Sequence, residues 1–179
     1  MKNIVIGNDV YIPFISEEKI QAKVKALAKK IEKDYKDKIP LFIGILNDSF
    51  IFLSDLLKNY NHPCEVDFIK ISSYKGDKLS GGKVKILNQL NCSIKGRDVI
   101  IVEDIVDSGL SVKFIKELLA GNKPSSIKVV SLLVKPKSIK FDIKIDYIGI
   151  NIPSKFVIGY GLDYNQKFRN LKSIYILNK

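Results

Sequence analysis

Residues 99–111 read VIIVEDIVDSGLS and gather the residue types that could do chemistry. The apolar run 99–102 predicts a buried strand that stops at two adjacent carboxylates, Glu103 and Asp104. Asp107, Ser108 and Gly109 come next, then Leu110 and Ser111, where an apolar helical pattern begins. A strand that feeds a helix through a short loop with glycine and two hydroxyls builds an anion site, because backbone N–H groups at the helix start point outward. The loop has no lysine and carries acid at its mouth, so it is not the G-x-x-x-x-G-K-[ST] loop that holds ATP. Phosphate beside carboxylates points to a ligand with a phosphate and either a diol or bound Mg²⁺, as in a phosphorylated ribose. The plainer reading of the same residues is a strand-to-helix turn capped by Asp107 or Ser111.

The flanking pattern predicts the elements that must hold this segment. Ile20, Val24, Leu27, Ile31 and Tyr35 recur at helical spacing over residues 17–35, with Ser16 placed to cap the helix. Residues 40–46 read as a buried strand, then Asn47, Asp48 and Ser49 lead into a helix over about 50–59. Residues 64–74 predict a long strand, the polar and Gly-rich 75–83 a mobile loop, and 83–89 a returning strand. A helix is expected over 112–120, stopped by Gly121. Residues 127–134, 147–152, 156–160 and 173–177 read as further strands. Strands alternating with helices imply an α/β fold, with a mostly parallel sheet and helices on both faces. No repeat, low-complexity tract or linker divides the chain, so one domain is expected over 1–179. A small hood would come from about 1–15 and 150–179.

Composition narrows the class. The chain has 179 residues, 46% hydrophobic and 27% charged, which fits a globular domain with a real core. No apolar run approaches a membrane span, and the first residues are too short in apolar content for a signal peptide. Cys64, Cys92 and the lone His62 lack metal-ligand spacing, which argues against zinc. Isolated cysteines without an export signal predict a reducing cytoplasm. The net charge is +11, yet Arg97 and Arg169 are the only arginines. Base-edge reading favours arginine forks, so nucleic acid is not expected. The lysine-rich surface would instead attract a polyanionic small molecule.

The apolar run, E-D, two apolar residues and D-S-G resemble the signature of the type I phosphoribosyltransferases, which bind phosphoribosyl pyrophosphate (PRPP). The order of segments from about residue 5 to 176 is similar to the bacterial hypoxanthine–guanine branch. The resemblance implies that Glu103 and Asp104 hold the ribose hydroxyls, that 108–111 (Ser108, Gly109, Leu110, Ser111) cradle the 5′-phosphate, and that Asp107 is the general base. It also implies that Leu46, Asn47 and Asp48 form the pyrophosphate loop. That loop commonly carries glycine where this chain has Asp48, and in many members lysine where it has Asn47; Asp48 is expected to point away from pyrophosphate or to act through water or Mg²⁺. On residues alone this stretch is a helix cap.

Ser73 and Tyr74, which on their own open an exposed hairpin connection, resemble the entrance to a lid over pyrophosphate. Lys135, at the end of its strand, would donate to the purine O6; taken alone it reads as a solvent-facing lysine. Phe156 would stack on the purine and Val157 would bond its edge through the backbone, where the plain reading is ordinary core. The resemblance also places Asp163 near the purine, as the carboxylate that reaches Mg²⁺ on pyrophosphate. Arg169 matches an arginine near the pyrophosphate. Glu103, Asp104 and Asp163 are the candidate Mg²⁺ ligands.

The activity implied is transfer of phosphoribose from PRPP to hypoxanthine or guanine, a purine salvage step by a cytoplasmic homodimer or homotetramer. The alternative, kept open by the charge, is a nucleotide-sensing RNA-binding regulator of the same fold.

Overall fold

A computed structural model describes residues 2–74, 83–88 and 90–178. The main sheet has six strands in the order β5-β4-β3-β6-β7-β8. They are β3 (Leu41–Leu46), β4 (Glu65–Tyr74), β5 (Lys83–Asn88), β6 (Asp98–Val106), β7 (Ser126–Val134) and β8 (Tyr147–Asn151). All neighbours pair in parallel except β4 and β5. Helices cover both faces, as the alternation of elements requires. α1 (Glu17–Asp34) and α2 (Phe50–Lys58) pack with Phe42, Ile100, Val102 and Leu132. α3 (Leu110–Ala120) packs with Leu41, Ile43, Ile101 and Val129 on the other side. The odd–even split along β3 is the period-2 alternation of a strand buried on both faces.

α1 forms where the periodicity placed it. Ile20, Val24, Leu27, Ala28 and Ile31 are all buried on one stripe. Ser16 caps it, its Oγ accepting from the backbone N–H of Lys19 at 3.4 Å. Gly121 ends α3 with φ −57°, in the right-handed region, and the left-handed residue is Lys123 at φ 54°.

A second, four-stranded antiparallel sheet, β1-β2-β10-β9, joins the two ends of the chain. β1 (Ile4–Ile6) and β2 (Asp9–Ile15) were not expected as strands; β9 (Val157–Ile158) and β10 (Ile174–Leu177) are shorter than the expected 156–160 and 173–177. Gly159 and Gly161, at φ 97° and 99°, break the strand after Ile158. The expected loop over 75–82 lies outside the described residues.

Candidate active site

The strand order reverses between β3 and β6: the chain runs outward to β4 and β5, then returns to β6, β7 and β8. Ligands of open α/β sheets bind at such a reversal, beyond the carboxyl ends of the strands. Here the gap has a specific origin. β6 pairs with β3 only as far as Val102, opposite Gly44, but continues along β7 to Val106, opposite Val134. The strand therefore does not stop at Glu103, as its apolar run predicted. Glu103 and Asp104 lie inside β6, with their β3 side open.

Both carboxylates are buried and border one cavity of about 140 Å³, together with Asp48 and Ser111. Burial, then the neighbouring charges of Asp104 and Asp48, holds the Glu103 carboxyl well above its ordinary range. Burial and the Asp48 charge push Asp104 up to about 8, against the backbone N–H groups of Ile105 and Asp104 and the charge of Arg169. Among the described residues, Asp104 Oδ2 is a buried oxygen with no hydrogen-bond partner. Buried acids with an unused oxygen fit a hydroxyl donor or a hard cation, and Mg²⁺ takes one or two carboxylates with substrate oxygens. The fit extends to Glu103 and Asp104 only. Among the described residues no cluster of three His, Cys, Asp or Glu side chains could hold a metal ion. Asp163 does not join them because it is spent elsewhere: it pairs with Arg169 at 2.9 Å and accepts from the Gln166 N–H at 2.7 Å.

Next to the acids, residues 105–112 and Glu103 wall a second cavity of about 90 Å³. Its floor is the start of α3. Gly109 takes φ 84° there, and Ser108 Oγ accepts from the Leu110 N–H at 3.3 Å. Neither Asp107 nor Ser111 is the cap residue, which is Gly109 and makes no side-chain bond. The first-turn N–H groups of a helix have no partners within it, and its N-terminus favours negative charge. A phosphate-sized anion fits this cup without any lysine.

The other candidate residues close in from three sides. Lys135 follows β7, donates its N–H to the Val106 carbonyl at 2.9 Å, and is 7% exposed. Its Nζ donates to Asp107 Oδ2 at 2.7 Å. Lys135 is thus buried, against the plain reading of a solvent-facing lysine, and aimed at the proposed base. Phe156 is 47% exposed, not core, and meets Tyr11 and Tyr164 edge-on at centroid distances of 6.3 and 6.2 Å. Val157 is buried and opens β9. Ser73 and Tyr74 end β4.

Leu46, Asn47 and Asp48 follow β3, and the Leu46–Asn47 peptide is cis. Ser49 stands at the cap position of α2, but its side chain makes no cap bond; its Oγ donates back to the Ile45 carbonyl at 2.7 Å. Asp48 does turn toward a cation, but a protein one: its carboxylate accepts from Arg169. That pairing spans residues far apart in sequence, so spacing gave no signal for it. Tyr11 and Tyr164, beside Phe156, were missed for the same reason.

A larger cavity of about 530 Å³ lies elsewhere, between β4, β5 and α3, against Ile69, Leu90, Cys92, Ile94 and Leu119. It holds no acid or paired hydroxyl among the described residues, so the chemistry is assigned to the smaller cavities.

A gap at the strand reversal, a buried acid pair and a helix-start anion cup define a domain built to handle a phosphorylated sugar. Residues 16–165 match the phosphoribosyl transferase domain, and the chain belongs to that family. It is 45% identical to the hypoxanthine-guanine phosphoribosyltransferase of Bacillus subtilis (strain 168), over 97% of this chain and 96% of that one. Its fold is similar to a hypoxanthine phosphoribosyltransferase from Staphylococcus aureus, with TM-score 0.89 and 42% identity over 93% of this chain and 91% of that one. The Trypanosoma cruzi enzyme in complex with its product IMP superposes with TM-score 0.88, at 34% identity, covering 99% of this chain and 98% of that one.

Proposed function

We propose that this protein transfers the phosphoribosyl group of PRPP to a 6-oxopurine, hypoxanthine or guanine, giving IMP or GMP and pyrophosphate. The observation that carries this reading is the buried Glu103–Asp104 pair in the β3–β6 gap, set between the α3 cup and the Asp107–Lys135 pair.

Each residue has a role that its surroundings support. Ser108, Gly109, Leu110 and Ser111 hold the 5′-phosphate through the α3 N-terminus. Glu103 and Asp104 accept from the ribose hydroxyls. They also set negative charge beside the ribose as its C1′–O bond breaks and the ring turns cationic. Asp107 takes the purine N7 proton as N9 attacks C1′. Lys135 donates to O6, Phe156 stacks on the base, and the Val157 backbone meets its edge. Mg²⁺, held by Glu103 and Asp104, would neutralise the pyrophosphate leaving group when bound. Leu46, Asn47, Asp48 and Arg169 serve the pyrophosphate end, with Asp163 behind Arg169, and the resemblance assigns Ser73 and Tyr74 to the same end. A homodimer or homotetramer in the cytoplasm is the setting that the resemblance implies. The names of the relatives support the enzyme, and none of these findings favours the RNA-binding alternative.

A nucleobase panel with PRPP and Mg²⁺, read as pyrophosphate release, tests the reading. Turnover of hypoxanthine or guanine and rejection of adenine is the expected result. Comparable use of adenine, or no turnover of any purine, would overturn it.

A further inference from the structure

Arg169 is the one arginine near the site, and it is already occupied. One terminal nitrogen donates to the Asp48 carboxylate and to the Gly161 carbonyl at 2.7 Å. The other reaches Asp163 at 2.9 Å and donates to Gln166 Oε1 at 3.0 Å. The guanidinium is largely enclosed, whereas the Asp48 side chain is 45% exposed. Asp48 also borders the cavity that holds Glu103, Asp104 and Ser111. Asp48 therefore stands between the cation and the acid-lined cavity, with one face on each. The backbone enforces this closeness: a Cβ on Gly161 would lie 2.3 Å from the Asp48 carbonyl oxygen, so the 159–171 segment and the loop after β3 touch main chain to main chain.

Two carboxylates on one guanidinium leave the cluster with a net negative charge, facing a cavity already lined by acids. Asp163 is tied down by the Gln166 N–H and is less exposed. Asp48 is the more exposed of the two and the one that an incoming anion would meet. We infer that Asp48 is an internal anion that occupies Arg169 in competition with pyrophosphate, and so weakens the hold on the pyrophosphate group of both substrate and product. The inference rests on the transferase reading above. Asp48 is a positioning residue in this account: it acts on the leaving group through Arg169, by occupying the guanidinium. Its effect is release of pyrophosphate rather than bond breaking.

The test is binding of inorganic pyrophosphate with Mg²⁺, by calorimetry and by product inhibition. The proteins are the wild type, Asp48→Asn, Asp48→Gly, Arg169→Gln and the double variant Asp48→Asn/Arg169→Gln. Thermal melting checks that each is folded. Asp48→Asn should tighten pyrophosphate about tenfold and lower the PRPP KM in step, because the guanidinium it releases can then make charge-assisted bonds to the bound anion. The KM for hypoxanthine should stay level, which a general loosening of the site would not allow. In the Arg169→Gln background the same substitution should change pyrophosphate binding by less than about twofold, since the contested cation is gone. Asp48→Gly repeats the test if the asparagine variant is unstable. Unchanged or weaker pyrophosphate binding in both Asp48 variants would overturn the inference. So would equal tightening in both backgrounds, which would reduce Asp48 to diffuse repulsion. In either case wild-type turnover leaves the transferase reading intact. A wild type that binds neither PRPP nor pyrophosphate would overturn both.

Discussion

Asp107 and Lys135 hold each other at 2.7 Å, so the proposed proton acceptor and the proposed O6 donor are one unit before any purine arrives. Lys135 is enclosed and Asp107 largely exposed, so the pair is anchored at the lysine end. Asp107→Asn should keep the geometry and lose the base. Turnover should fall roughly 10²-fold while PRPP binding changes little, because proton transfer contributes about that much; single-turnover kinetics beside PRPP titration checks it. Lys135→Ala should raise the KM for hypoxanthine and guanine and spare PRPP affinity. It need not admit adenine, since removing a donor does not supply an acceptor's partner. Measuring kcat/KM for three bases on both proteins decides it, and an unchanged hypoxanthine KM would remove Lys135 from base recognition. The acid pair and the D-S-G turn were legible from residue types alone, because their chemistry is local. The Asp107–Lys135 contact was not, since it depends on how β6 and β7 align at their ends.

At the scale of elements, the site exists because β3 and β6 stop pairing after Gly44 and Val102 while both strands run on. That parting buries two acids in a strand whose β3 edge is unpaired, and the fold bears a cost for it. The folded Asp104 carboxyl sits at about 8, well above its ordinary value near 4 in an unfolded chain. The folded state therefore holds a proton that the unfolded state releases, and stability falls as pH rises from about 4 to about 8. In chelator and without PRPP, Asp104→Asn should melt roughly 5–10 °C higher at pH 8 and much like the wild type near pH 4. A melting curve series across that range reads it directly, and equal melting at pH 8 would contradict it.

Asp67 in β4 is the opposite case. Burial raises its pKa, but hydrogen bonds from the N–H groups of Phe68 and Asn91 and from the Asn91 side chain outweigh it, and the net shift is downward. Its contribution is present above the unfolded pKa and is lost as pH falls through the folded one. Asp67→Ala should cost about 2 kcal/mol at neutral pH by leaving those donors unpaired, as read from denaturant midpoints. Helices and central strands were legible from periodicity. The length of β6 was not, because an E-D step looks like a strand end when its partner strand is unknown.

Across the whole molecule the charge is +11 with only two arginines, so the field is made of lysines. Such a field raises the encounter rate of a polyanion without fixing its pose. The kcat/KM for PRPP should fall several-fold between about 50 mM and 300 mM salt, while that for hypoxanthine, which is neutral, should hardly move. Parallel loss for both substrates would place the salt effect on the fold instead. The small sheet carries another consequence. Its order, β1-β2-β10-β9, sets the last strand of the chain between the second and the ninth. β10 pairs with β2 from Ile174 opposite Ile15 to Leu177 opposite Tyr11, and with β9 on its other edge. During synthesis the β1–β2 hairpin must therefore wait, one edge bare, until β10 has left the ribosome. Closure of this sheet is a late event of high contact order, after the larger sheet has its strands in hand. Phe156, proposed to stack on the base, packs with Tyr11 and Tyr164 in a group assembled across that same seam. A nascent or C-terminally shortened chain would carry its acid pair and anion cup but no finished place for the purine.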